Sequence, residues 1–151
     1  MLKPARIAVA GLIFFASTVT AETCHYILVK PGAGRFSAGK LTVDLGQADD
    51  AARPRAWQGP ITITQSNGVS CTVDPTVGII EQPIYRDGRH FLVVTYSGSN
   101  KIVYAIDAAS CHVLWHSQPF TGPVRLNLNK LQMGNQTTKI RSDCIPDSQA
   151  H

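Results

Sequence analysis

Turn signals interrupt this chain so often that a helix of ordinary length, about 11 or 12 residues, finds no room between them. Pro31-Gly32, Gly59-Pro60, Asn67-Gly68, Asp87-Gly88 and Gly122-Pro123 punctuate it, with single prolines at 75 and 119. Between them lie short runs with strand character. Leu41, Val43 and Leu45 alternate with polar neighbours, and so do the apolar residues of 124–129. Residues 61–64 and 69–73 flank Asn67-Gly68, the strongest short-range hairpin signal, and Tyr85 and His90 flank Asp87-Gly88 in the same way. Residues 90–96 (HFLVVTY) are almost continuously apolar, as expected of a central strand covered on both faces. The pattern predicts an all-β fold, a small antiparallel sandwich or barrel of eight or nine short strands. Residues 34–40 read as a Gly-rich loop, and residues 47–59 and the tail from Gly134 show no strand pattern.

The start of the chain speaks to its compartment. Lys3 and Arg6 precede a nine-residue apolar run, residues 7–15, and small residues follow, with Val19 and Ala21 at the −3 and −1 positions before Glu22. That order is the order of a secretory signal peptide. The run is well short of the roughly 20 apolar residues that span a bilayer. A lipidated Cys24 does not fit, because Glu22 and Thr23 stand where small residues belong. The expectation is a leader over residues 1–21, a single all-β domain over residues 22–151, and a periplasmic or secreted location with no membrane anchor after cleavage. Losing Lys3 and Arg6 leaves 12 bases against 10 acids, and no basic stripe suited to nucleic acid remains.

Cys24, Cys71, Cys111 and Cys144 are even in number and form no CxxC pair, which in an oxidising compartment reads as two disulfides. Three pairings are open. The sequential one, Cys24–Cys71 with Cys111–Cys144, is the expectation.

Residues 98–120 (GSNKIVYAIDAASCHVLWHSQPF) pair a strand ending in Ala-Ile-Asp with a turn and a second strand closing on Trp115. This stretch resembles a single repeat of a quinoprotein-type β-propeller. It departs from that repeat at Cys111, where the turn normally carries a Gly free to adopt a positive φ. A ring needs four or more blades of four strands each, which the 130 residues after the leader do not supply. The resemblance therefore implies a twisted hairpin with propeller-like turn chemistry. A quinone site, which requires the complete ring, is not carried over. Trp115 is expected in the core beside Val113, on the same face of its strand.

Several motifs offer chemistry and do not carry it through. Gly34 to Lys40 fits GxxxxGK, but Leu41 replaces the Ser or Thr that would hold magnesium, and it opens a strand rather than a helix. His112 and His116 have the spacing of a helical zinc pair, yet on a strand such residues lie about 13 Å apart. His25 and His90 stand alone. Ser37 and Lys40 form SxxK without its usual context, and Asp49-Asp50 are adjacent in a loop rather than converging on a cleft. No catalytic residue, cofactor or metal ligand is expected.

Residues 47–59 are long for a connection in a small β domain, and such loops are usually functional or disordered. They carry Arg53, Arg55 and Trp57, residue types enriched at the energetic centres of interfaces. Either Trp57 folds back on the sheet with the charges merely solvated, or the three form a partner-binding centre with Trp57 at least partly exposed. The functional expectation is a non-catalytic exported protein of inhibitor or immunity type that binds a protein partner such as a wall-degrading enzyme or toxin. A small-ligand or glycan-binding module, using Tyr85, Tyr96 and Tyr104 on an exposed sheet face, is the alternative, and an enzyme of unrecognised type the third.

Overall fold

The computed structural model describes residues 24–148, so the expected leader lies outside the described residues. Thirteen strands and no helix are found among them: β1 (Ile27–Leu28), β2 (Arg35–Ala38), β3 (Leu41–Asp44), β4 (Ala56–Trp57), β5 (Thr62–Gln65), β6 (Ser70–Thr72), β7 (Ile80–Arg86), β8 (His90–Ser97), β9 (Asn100–Asp107), β10 (Val113–His116), β11 (Val124–Asn127), β12 (Lys130–Met133) and β13 (Gln136–Lys139). They make three antiparallel sheets. In the central one β7, β8, β9 and β10 are sequential neighbours, and β1 and β4 both pair with β7 at its other edge. The second sheet runs β2-β3-β5-β6 and the third β11-β12-β13. The fold is all-β, disulfide-bonded and sandwich-like, as expected. The strand count exceeds eight or nine because β2 lies inside the apparent Gly-rich loop, β4 inside residues 47–59, β12 between the run 124–129 and Gly134, and β13 in the tail.

The layers follow from β8. Its first six residues, His90 to Thr95, are all buried. Phe91 and Val93 join a core cluster with Val43 and Ile63 of the four-stranded sheet. Leu92 and Val94 point the other way, into a second cluster with Leu131 and Met133 of the three-stranded sheet. A strand whose side chains alternate between two apolar layers has no solvent face, which is why its sequence is a continuous apolar run. The same alternation holds along β9, where Ile106 serves the first cluster and Val103 and Ala105 the second. His90, at the entrance to β8, is held by the turn before it. Its Nδ1 lies 3.0 Å from Oδ2 of Asp87, whose Oδ1 accepts the amides of Arg89 and His90.

Trp115 contradicts the expectation from sequence, and Trp57 is settled against partial exposure. Trp57 is fully buried in the first cluster, whereas Trp115 is only half-buried at the margin of the second. The cause in β10 is a bulge: Val113 pairs with Ile106, but Trp115 pairs with Ala105. The extra residue breaks the two-residue alternation, so Val113 packs toward one core and Trp115 toward the other. Trp57, in turn, is drawn in by β4, which pairs Trp57 with Ile80 and extends the central sheet.

The disulfides are Cys24–Cys144 and Cys71–Cys111, not the sequential pairs. Each joins two layers. Cys71 lies in β6 of the four-stranded sheet and Cys111 in the β9–β10 turn of the central sheet. Cys24 precedes the edge strand β1, and Cys144 follows the three-stranded sheet. Loop length carries no information about such layer-to-layer contacts. Cys111 sits at φ 61, so the turn keeps the left-handed backbone that a Gly would normally supply. Two disulfides fit an oxidising compartment. Closing loops with sequence separations of 40 and 120 residues stabilises by about 4 and about 5 kcal/mol on the chain-entropy account. Non-reducing digestion with mass spectrometry should recover peptides linked 24–144 and 71–111; a 24–71 link would contradict the layered packing.

Candidate functional site

Residues 47–59 form a hairpin-like finger rather than an open loop. At its base the Gly59 amide donates to the Leu45 carbonyl, and the Gln58 amide to that of Gln47. Ala48 bridges to Trp57, and the Asp49 amide donates to the carbonyl of Ala56. Two glycines make the base possible. A Cβ on Gly46 would lie 2.4 Å from the Gly59 carbonyl oxygen, and one on Gly34 would lie 2.5 Å from Cδ1 of Trp57. The indole is thus seated directly on the backbone of the β1–β2 connection. Its Nε1 is buried without a hydrogen-bond partner among the described residues.

The acids of the finger serve its own backbone. Asp49 Oδ1 accepts the amides of Arg55 and Ala56, and Asp50 Oδ1 accepts those of Ala52 and Arg53. The Arg55 amide, then that of Ala56, hold the Asp49 carboxyl below its ordinary value of 3.8. A depressed carboxyl pKa means that the hold is present above the unfolded value and fades only as pH falls through the folded one. At neutral pH the Asp49 carboxylate is therefore ionised and holds the amides of Arg55 and Ala56. Arg53 and Arg55 are exposed, and neither forms an ion pair with a carboxylate among the described residues.

The structure thus divides the three residues singled out in the sequence. Arg53 and Arg55 share the finger's surface, and Trp57 is the root beneath them, with no side-chain surface left for a partner. The missed signal was Ala56-Trp57 as an edge strand, too short to show a period.

The tyrosines are likewise divided. Tyr85 pairs with Leu92 and Tyr104 with Val93, so the two rings leave the central sheet on opposite faces. Tyr96, opposite Lys101, falls on the face of Leu92 and Val94, away from Tyr104. The Tyr85 hydroxyl accepts the Leu126 amide and bonds the three-stranded layer to the centre. There is no common tyrosine face. Tyr104 instead lines a groove of about 650 Å³ with Asp74, Thr76, Ile102, His112 and His116. Its ring lies 6.1 Å from that of His116. Burial, then the Asp74 charge, pushes its hydroxyl above the ordinary 10.0, so it remains a neutral donor and acceptor at physiological pH.

His112 and His116 line this groove together, and no group of three His, Cys, Asp or Glu among the described residues is placed to hold a metal. Ser37 lies in β2, and Lys40 in the turn that follows it. The GxxxxGK stretch forms β2 and that turn, without the helix a phosphate loop requires.

No family model matches the chain, and no curated protein matches it in sequence.

Removing the Asp49 carboxylate should loosen the finger without unfolding the layers. In Asp49→Ala, trypsin should cut after Arg55 faster than in the wild type at equal melting behaviour. Equal cleavage rates would show that the carboxylate does not hold the finger.

Proposed function

We propose that this is an exported, periplasmic or secreted, non-catalytic protein that binds a protein partner through the finger, in the manner of an inhibitor or immunity protein. One observation carries the reading. The finger spends both its carboxylates on its own amides and presents Arg53 and Arg55 from that hydrogen-bonded backbone, without a carboxylate partner among the described residues. A preorganised loop has already given up the conformational freedom that binding otherwise costs. Exposed guanidiniums without partners suit a carboxylate-bearing surface, where bidentate pairing is available. Wall-degrading glycosidases have such a surface, since they place two carboxylates in an open cleft. Arg53, Arg55 and the backbone between them are then the contact, with Trp57 as its support.

The groove beside Tyr104 favours the second reading, a small-ligand or glycan-binding module. Its volume falls in the range of ligand sites, and it combines a ring, apolar walls and a few polar groups.

Parallel affinity capture from periplasmic extract, with wild type and the Arg53→Ala/Arg55→Ala variant as baits, separates the two. A protein retained by the wild type and lost by the variant supports the finger. Direct titration of that protein should then show each single alanine weakening binding by at least about 2 kcal/mol, near thirtyfold. Equal retention by both baits, or loss only with Tyr104→Ala, would overturn the finger as the site.

A further inference from the structure

A second charged site lies at one end of the central sheet, where three hairpin turns meet. The β2–β3 turn is two residues long, with Gly39 at φ 64 and Lys40 next to it. The β7–β8 turn follows Arg86 and contains Arg89. The β9–β10 turn starts from Asp107. The last two are tied together by their backbones, because the amide of Ala108 donates to the carbonyl of Arg89 at 2.8 Å. Between the three turns is a cleft of about 490 Å³ lined by Lys40, Arg86, Arg89, Gln65 and Asp107, with Gly39 and Ala109 among its small residues.

The acids of this region are already engaged. Asp87 is folded inward onto His90 and the amides of its own turn, its side chain 8% exposed. Asp107 Oδ1 accepts the Ser110 hydroxyl and the amides of Ala109 and Ser110. Neither Lys40, Arg86 nor Arg89 has a carboxylate within ion-pair distance among the described residues. Three cations against two carboxylates, each committed to its own turn, leave a net positive field around one concavity with no ion-paired counter-charge on the cations among the described residues. Like charges gathered in this way raise the free energy of the folded chain unless an anion is present.

We propose that this cleft binds a multivalent oxyanion, a small molecule or polymer segment bearing two or more phosphate or carboxylate groups. The volume exceeds what a single phosphate fills and lies within the range of organic ligands. The two guanidiniums supply bidentate forks, and the Lys40 ammonium a third point of charge. This differs from the phosphate loop that Gly34 to Lys40 suggested in sequence: the donors are side chains from three turns, with no helix amides. The site is separate from the finger, so either can fail without the other.

Calorimetric titration of the mature protein with tripolyphosphate and with citrate tests it, and the two probes distinguish a phosphate from a carboxylate source. At least one should bind with unit stoichiometry and weaken as salt rises. Lys40→Gln/Arg89→Gln should reduce that affinity at least about tenfold, the loss of charge-assisted hydrogen bonds, while Arg53→Gln/Arg55→Gln leaves it unchanged. Both exchanged residues are exposed, and melting without anion checks that the variant is folded. Ala109→Glu, which brings a carboxylate to the exposed rim, should abolish binding independently. Absence of binding by both probes, or binding that survives the Lys40/Arg89 exchange, or loss only in the finger variant, would overturn the assignment.

Discussion

The indole of Trp57 is where the core and the surface of this protein depend on one another. It is fully enclosed, packs in the cluster that joins the four-stranded and central sheets, and rests on Gly34 with no room for a side chain there. Burying a Trp removes on the order of 200 Å² from water, and truncating such a residue typically costs about 3–5 kcal/mol. Because Trp57 also ends the finger, this packing energy fixes the direction in which the finger leaves the body. The missing partner of its Nε1 subtracts from that gain. The placement of the backbone that carries Arg53 and Arg55 is thus a consequence of core packing, reinforced at the tip by Asp49 and Asp50.

The layered arrangement explains the cysteines in the same terms. A central sheet apolar on both faces must be covered twice, and each cover here is a small sheet with few residues to bury. The four-stranded cover is stapled through Cys71–Cys111, and the tail beyond the three-stranded cover through Cys24–Cys144. The Tyr26 hydroxyl adds a 2.7 Å hydrogen bond to the Cys144 carbonyl beside the second staple. Small sheets with modest cores benefit most from such cross-links, since the denatured chain loses more freedom as the closed loop lengthens.

Much of this was legible in the sequence where a local rule has a single outcome. Asn67-Gly68 and Asp87-Gly88 mark hairpins, and the continuous apolar run of residues 90–96 marks a strand between two layers. The rules that failed were those requiring knowledge of partners. Trp115 and Val113 are two residues apart, and only the bulge in β10 separates their faces. Trp57 belongs to a two-residue strand whose partner, Ile80, lies beyond two other strands. Four cysteines permit three pairings, and the choice is made by which layers touch. The arginines of the finger stood out by residue type alone. The cleft among Lys40, Arg86 and Arg89 was invisible because its residues come from three separate turns.

The finger and the cationic cleft are both consequences of the way acids are used. Asp49, Asp50, Asp87 and Asp107 each accept backbone amides of their own turn. Their charge thereby serves local structure, and nearby Arg and Lys side chains face outward unpaired. A chain with nearly balanced charge can in this way present two positive sites.

The finger takes its order from Trp57 as its buried root. Fluorescence of single-tryptophan variants measures this directly. With Trp115→Phe, the remaining Trp57 should emit at the bluer wavelength and resist acrylamide quenching; with Trp57→Phe, the remaining Trp115 should emit further to the red and quench more readily. If Trp57 instead proves the redder and more quenchable of the two, the finger has no buried root, and its arginines are not rigidly held.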